Sequence, residues 1–252
     1  RNNLTDILIA YLEWQRTGQL KPIIRMNADP EENLECPEQI WLIPSDRLSV
    51  ERFDSFFYAP ELDKVYKTLK KKRKNGDIEI KLGSSFKRKS KITKKQRDDF
   101  IEKGTKLKYI EIGDVTSYGL ITNYIEGTLD ELPTRGEYQV KTGDLLVALN
   151  NSSRGTVVVV PHKFNGAICT SGFLVIKPSS QEEAYLLWYA MRSEYCRKQI
   201  YYLAQTASQP ELKSEAWNNY FQIPIPKRKM RTAAIRKAKE FIKHLTALLD
   251  AE

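Results

Sequence analysis

Tyr138-Gln-Val-Lys-Thr-Gly-Asp-Leu-Leu-Val-Ala-Leu-Asn-Asn-Ser-Ser-Arg154, followed by Gly155 to Pro161 and by Gly166-Ala-Ile-Cys-Thr-Ser-Gly-Phe-Leu-Val-Ile-Lys177, is the stretch that decides the fold. Aliphatic and β-branched runs at 144–149, 156–160, 167–170 and 172–176 alternate with polar turns, which predicts four short strands of one sheet. The longest polar insert, Asn150-Asn-Ser-Ser-Arg154, offers hydrogen-bond donors and acceptors but no nucleophile paired with a base. A rigid sheet presenting such a loop suits reading a partner rather than transforming one.

Working outward, 107–115 (LKYIEIGDV) predicts another strand, and Ser117-Tyr-Gly119 turns it into 120–125 as a hairpin. Downstream, Ala184, Leu187, Trp188, Met191 and Tyr195 recur at helical spacing and predict one helix over 182–202 that covers the sheet. The loop 204–213 is again polar and amide-rich, and amides pair bidentately with adenine as Arg and Lys do with guanine. Phe221-Gln-Ile-Pro-Ile-Pro226 predicts a strand closed by proline at a sheet edge. The last helix, 230–249, carries Ala234, Ala238, Phe241, Leu245 and Leu248 as an a/d seam, which favours a partner helix over its own domain.

Toward the N-terminus, Leu4, Ile7, Leu8, Tyr11 and Leu12 form one helical face, with Gly18 as its C-terminal cap. Proline-rich connection fills 19–37 before a strand at 39–43. In 47–60, Phe53, Phe56, Phe57 and Tyr58 either dock a linker on the domain or form a platform for bases; the missing period of two favours docking. Arg1 in place of Met leads us to expect a piece of a longer chain.

The composition, 252 residues with 41% hydrophobic content, supports a real core and argues against disorder. With no membrane-length apolar run and no signal segment, a cytoplasmic protein that needs no membrane is expected. Cys36, Cys169 and Cys196 are widely spaced and read as buried thiols, and His162 and His244 are too few and too far apart for a metal cluster or an imidazole base. No metal or cofactor is expected. The net charge of +9 is uneven: 64–97 holds 15 Lys or Arg against Asp77 and Glu79, a local +13, so the remainder sums to −4. That density is the footprint of a phosphate backbone, or else a solvated basic linker. Lysines interleaved with Ser and Thr in 86–97 predict a loop that touches phosphates.

One enzymatic alternative stands beside this. Asp77, Glu79 and Lys81 on an alternating strand match the carboxylate-x-lysine core of a Mg²⁺-dependent nuclease, a pattern that also arises by chance in lysine-rich strands. A third alternative is a basic assembly protein that binds RNA or an acidic partner.

Taken in order, Lys108-Tyr-Ile-Glu-Ile-Gly-Asp-Val115 with Gly119-Leu-Ile121, Val140-Lys-Thr-Gly-Asp-Leu-Leu-Val147, Arg154-Gly-Thr-Val157, Phe173-Leu-Val-Ile-Lys-Pro178, the helix with Tyr185, Leu187 and Ser193, and Phe221-Gln-Ile-Pro-Ile-Pro226 resemble one family. The series, over 76–252, resembles the target recognition domain and following helix of type I restriction-modification specificity subunits. Asn3-Leu-Thr-Asp-Ile-Leu8 and the Arg52 to Pro60 stretch are similar to the tail joining an adenine-N6 methyltransferase to a fused recognition domain. The methyltransferase's catalytic Asn/Asp-Pro-Pro-aromatic motif and its Gly-rich loop are absent from the sequence, so the chain is not expected to methylate alone.

The resemblance implies an α+β fold: a mixed and antiparallel β recognition domain with packing helices, a long C-terminal helix and a helical N-terminal segment. Expected divisions are 1–60 (helix and linker), 61–226 (recognition domain) and 227–252 (packing helix). Expected partners are double-stranded DNA, an adenine-N6 DNA methyltransferase subunit or fused catalytic domain, and a second copy through the 230–249 helix. Lys87, Arg88, Lys89, Lys91, Lys94, Lys95 and Arg97 are the candidate backbone contacts. Ser117, Tyr118, Asn123, Asn150, Asn151, Ser152, Ser153, Arg154, Gln205, Thr206, Gln209 and Lys213 are the candidate base readers, and no residue is expected to be catalytic.

Overall fold

A computed structural model describes residues 55–150, 156–204 and 211–250. The helix predicted from Leu4 and the strand at 39–43 lie outside the described residues.

All four strands of the 138–177 stretch are present: β5 (Leu145–Ala148), β6 (Val157–Val159), β7 (Ile168–Thr170) and β8 (Phe173–Ile176). They do not form one sheet. β6, β5 and β8 make a three-stranded antiparallel sheet with β5 central, where Leu146 sits opposite both Val158 and Val175. β7 instead inserts between β2 (Leu107–Ile110) and β4 (Gly136–Gln139) in a mixed sheet ordered β3-β2-β7-β4, with β3 spanning Ile125–Gly127. Its pairing with β2 is parallel. Local pattern marks a strand but not its neighbours, because the pairing partner is chosen by contacts remote in sequence. What rewards the split is a shared core. Ile110, Val140 and Cys169 from one side meet Leu146, Val158, Phe173 and Val175 from the other, and every residue of β5 and β8 is buried. Continuous apolar runs, rather than alternation, are what strands covered on both faces require.

The expected hairpin forms. β2 and β3 pair antiparallel, and the connection narrows at the Val115 to Ile121 bridge. Residues 87–92 are less loop-like than the sequence suggested. The Lys89 amide donates to Val175 and the Lys177 amide to Lys87, so 87–89 runs along the free edge of β8. The Ile92 amide then donates to Glu137, covering the edge of β4. From Thr93 the chain is helical: the Thr93 hydroxyl accepts from the Gln96 amide and the Gln96 side chain accepts from the Thr93 amide, opening α2 (Lys94–Glu102) with a capping box.

A separate two-stranded sheet pairs β1 (Ile78–Leu82) with β9 (Gln222–Pro226), where Pro224 and Pro226 are tolerated because no third strand needs their missing N–H groups. α1 (Pro60–Lys74) leads into it, burying Leu62, Val65 and Leu69 and ending at the Asn75-Gly76 turn, with Gly76 at φ 78°. After β1 the chain needs a glycine: a Cβ on Gly83 would lie 2.3 Å from the Trp217 carbonyl oxygen. Trp217 belongs to the short α5 (Ser214–Asn219) and stacks on Phe221.

The single helix expected over 182–202 is two. α3 (Gln181–Met191) stops at Arg192, and α4 (Glu194–Leu203) starts afresh because the Ser193 hydroxyl accepts from the Cys196 amide. α3 buries Ala184, Leu187, Trp188 and Met191 and packs on β9 and β6, so it does cover sheet. α4 is tied to β9 by Gln199, fully buried, whose amide donates to the Gln222 carbonyl (2.8 Å) and accepts from the Gln222 amide (2.7 Å).

The C-terminal helix α6 (Arg228–Asp250) lies on α3. Ala234 and Ala238 are buried there, and Phe241 stands 5.3 Å from the Trp188 ring. The N-terminal half of the seam therefore serves its own domain, contrary to the expectation of a partner helix. The two alanines allow close approach, a local use that their a/d spacing does not distinguish from a coiled coil.

Candidate nucleic-acid interface

The two amide-rich loops singled out in the sequence share a stem. Asn150 bridges Glu211, and the Leu212 amide donates to the Leu149 carbonyl at 2.9 Å. Leu149 and Leu212 are both buried, so apolar packing fastens the joint. Asn150 is half-buried, and Lys213 is exposed with its ammonium 3.5 Å from Glu211. Asn151, Ser152, Ser153, Arg154, Gln205, Thr206 and Gln209 lie outside the described residues.

A third predicted segment, 117–123, is anchored to the same hairpin. Gly119 has φ 88°, and a Cβ there would stand 2.3 Å from the Val157 carbonyl oxygen, so the turn must have glycine for both conformation and space. That carbonyl also accepts from the Trp188 indole at 3.0 Å. The Ser117 carbonyl accepts from the Arg192 guanidinium, also at 3.0 Å. Arg192 lies 4.7 Å from the Trp188 ring and 5.8 Å from that of Phe241, and burial holds its pKa below the usual arginine value. So clamped, the turn projects Tyr118, 61% exposed, and an exposed Asn123. The segments 117–123, 150–154 and 205–213 are thus all rooted at the β5–β6 hairpin, two through residues 149–150 and one through Val157. Sequence reasoning named the three segments but missed Arg192, which carries no motif.

The seven basic candidates are unequal. Lys89 is nested: its ammonium is 2.6 Å from Asp144, which is 4% exposed and also accepts from the Lys141 amide. Lys91 pairs with Glu137 at 2.5 Å, a hydrogen bond that raises the lysine pKa. Arg97 donates to the Gly136 carbonyl, and Arg88 to the Ser214 hydroxyl beside Lys213. Lys87, Lys94 and Lys95 are exposed and make no ion pair with a described residue. Lys94 and Lys95 open α2, so they are presented by a helix rather than by the loop expected.

Asp77, Glu79 and Lys81 acquire no companion acid from the neighbouring strand, since β9 is Gln-Ile-Pro-Ile-Pro. Among the described residues no group of three or more His, Cys, Asp or Glu is placed to hold a metal ion. Cys169 and Cys196 are buried free thiols with pKa values pushed up by burial, that of Cys196 to about 12. Phe57 stands edge-on to Tyr58 and Tyr220, so that part of the aromatic cluster docks on its own domain; Phe53 lies outside the described residues. No helix among the described residues is long and apolar enough to cross a membrane.

No family model matches the sequence, and no curated protein matches it. Solved structures do match. One is a chain solved in work on the complex assembly and conformational transition of a type I R-M system, with TM-score 0.52 and 21% identity. Another is the HsdS subunit from Thermoanaerobacter tengcongensis, with TM-score 0.52 and 19% identity. Each likeness covers 68% of this chain and 44% of the other, so the chain spans less than half the length of either. The α+β architecture is that of the type I restriction-modification specificity subunit, as the ordered motifs implied.

Proposed function

We propose that this chain reads a sequence in double-stranded DNA as the non-catalytic specificity part of an adenine-N6 methyltransferase within a restriction-modification system. The observation that carries the proposal is the rooting of three polar segments at one hairpin end, on a fold shared with specificity subunits. A rigid β hairpin with side chains rich in amides and hydroxyls at its end is suited to the major groove, where such groups distinguish base pairs.

In this proposal Tyr118, Asn123, Asn150, Asn151, Ser152, Ser153, Arg154, Gln205, Thr206, Gln209 and Lys213 face base edges. Ser117 acts through its backbone, positioned by Arg192. Lys87, Lys94 and Lys95 neutralise phosphates, Arg88 and Arg97 sit at the edge of that contact, and Lys89 and Lys91 serve the internal framework. Residues 1–60 join the recognition domain, 61–226, to a methyltransferase subunit or fused catalytic domain, and 227–252 contribute the packing helix. The C-terminal end of that helix is the part left for a second copy or a methyltransferase. The setting is the cytoplasm, and no cofactor is needed by this part.

Selection from a pool of random duplexes, with the retained fraction sequenced at two salt concentrations in the presence of Mg²⁺, tests the proposal. An enriched motif that survives the higher salt is expected, because base contacts outlast the electrostatic term. Retention without enrichment refutes it. Cleavage of plasmid that Glu79→Ala abolishes would install the nuclease alternative instead.

A further inference from the structure

The sequence places the basic character in 64–97, but the fold brings a second run to meet it. Between residues 227 and 249 the chain carries Lys227, Arg228, Lys229, Arg231, Arg236, Lys237, Lys239 and Lys243 against Glu240 alone. Strand β9 delivers the start of this run to the end of α1: Ile78 pairs with Pro226, and the Lys227 amide donates to the Asp77 carbonyl at 2.9 Å. Arg228 is the one non-glycine among the described residues with positive φ, 51°, and its guanidinium reaches to 3.7 Å from where a Cβ on Gly76 would stand. The last turn of α1, Lys71-Lys-Arg-Lys74, and the Lys227 to Arg231 segment thereby form one corner.

Intramolecular electrostatics explain only half of this arrangement. Cations in the last turn of α1 suit the negative end of its dipole. Cations in the first turn of α6, which has no acidic residue there, oppose its dipole and repel those of α1. None of Lys71, Lys72, Arg73, Lys74, Lys227, Arg228, Lys229 and Arg231 makes an ion pair with a described residue, and all are exposed but Lys72, which is half-buried. Ala234 and Ala238 turn inward, so Lys229, Arg236 and Lys243, seven residues apart, extend the cations along the outer face of α6. Such a surface lacks the apolar centre of a protein interface: among the described residues of α6 only Met230 and Phe241 are large exposed hydrophobic side chains, and Phe241 packs on Trp188. Dense positive charge with little apolar area is the composition of a surface for nucleic-acid phosphates.

We propose that the α1–α6 corner is a second seat for the phosphate backbone of the same duplex, apart from Lys87, Lys94 and Lys95. It rests on the DNA-binding reading above. The test is the salt dependence of duplex binding by the full chain, compared with Lys71→Gln/Lys72→Gln/Lys74→Gln and with Lys227→Gln/Lys229→Gln/Arg231→Gln. Thermal unfolding establishes that each variant is folded, and Lys94→Gln/Lys95→Gln serves as a reference. Each triple variant is expected to lower the slope of log K against log salt by roughly 2 to 3, since each lost phosphate contact removes about 0.9. The decrease should be equal for selected and random duplexes. Slopes unchanged in both triple variants while the reference variant lowers its own would overturn the corner and leave the DNA-binding reading standing. So would triple variants that bind DNA normally but lose a methyltransferase partner, which would assign the corner to an acidic protein face. A wild-type chain that binds no duplex at any salt would overturn the DNA-binding reading itself, and this proposal with it.

Discussion

Arg192→Ala is the perturbation that most directly tests how the 117–123 turn is held. The substitution removes a charge-assisted hydrogen bond to the Ser117 carbonyl at 3.0 Å, a type that contributes about 1.5 to 3 kcal/mol. It also removes a guanidinium 4.7 Å from the Trp188 ring, which contributes about 0.5 to 1 kcal/mol where water still reaches it. Arg192 is half-buried, so the lower end of both ranges applies and the expected loss is about 2 to 3 kcal/mol. Urea unfolding followed by tryptophan fluorescence measures it. Amide exchange supplies the local readout: the Thr116 and Gly119 amides, bonded across the turn to Leu120 and Thr116, should lose protection more than the β5 amides do. Arg192→Lys keeps the charge but loses the flat face and fork, and should recover less than half of the loss. In duplex selection, Arg192→Ala should broaden the enriched motif without altering the salt slope. A stability change below about 0.5 kcal/mol, the usual size of a surface substitution, together with unchanged exchange, would refute the clamp.

Gly119→Ala places a Cβ 2.3 Å from the Val157 carbonyl oxygen at φ 88°, and we expect a loss of about 3 kcal/mol or more in the same urea assay. Gln199→Leu strands the Gln222 N–H and C=O against α4; about 2 to 4 kcal/mol should be lost, and a loss under 1 would show that water replaces the amide. Asp144→Ala leaves the Lys89 ammonium without its carboxylate and should cost about 2 to 4 kcal/mol, whereas Lys94→Ala should leave the unfolding midpoint unmoved. Alkaline pH supplies a further test. Burial raises the pKa values of Cys169, Cys196, Tyr109 and Tyr185 above their unfolded values, so their contribution is complete below those unfolded values and is lost as pH rises toward the folded ones. The urea midpoint should hold to roughly pH 8.5 and fall steadily to pH 11; a flat profile would contradict the burial of these groups. Before unfolding, neither Cys169 nor Cys196 should react with a thiol reagent at pH 8.

Sequence alone marked the strands at 107–110, 145–148, 157–159, 168–170 and 173–176, because aliphatic runs and Gly, Asn and Ser punctuation are local properties, but it did not mark 136–139, whose Gly-Glu-Tyr-Gln carries no aliphatic run. It also placed 117–123, 150–154 and 204–213 as polar connections, since side chains that cannot be buried are visible in composition. Three matters were decided only by tertiary structure. β7 left its sequence neighbours for β2 and β4, because a core shared by two sheets rewards pairings that no local pattern encodes. The helix expected over 182–202 broke at Ser193, where the gain of a capping hydroxyl outweighs continued periodicity. The N-terminal half of the α6 seam found its partner in α3, since spacing fixes which face is apolar but not what covers it. The same limit governs charge. Fifteen cations in 64–97 are countable in the sequence, but whether each meets an acid, a carbonyl or solvent depends on distances set by the whole fold. Lys89 was drawn to Asp144, while Lys71 to Lys74 were joined at one corner by Lys227 to Arg231, from the far end of the chain.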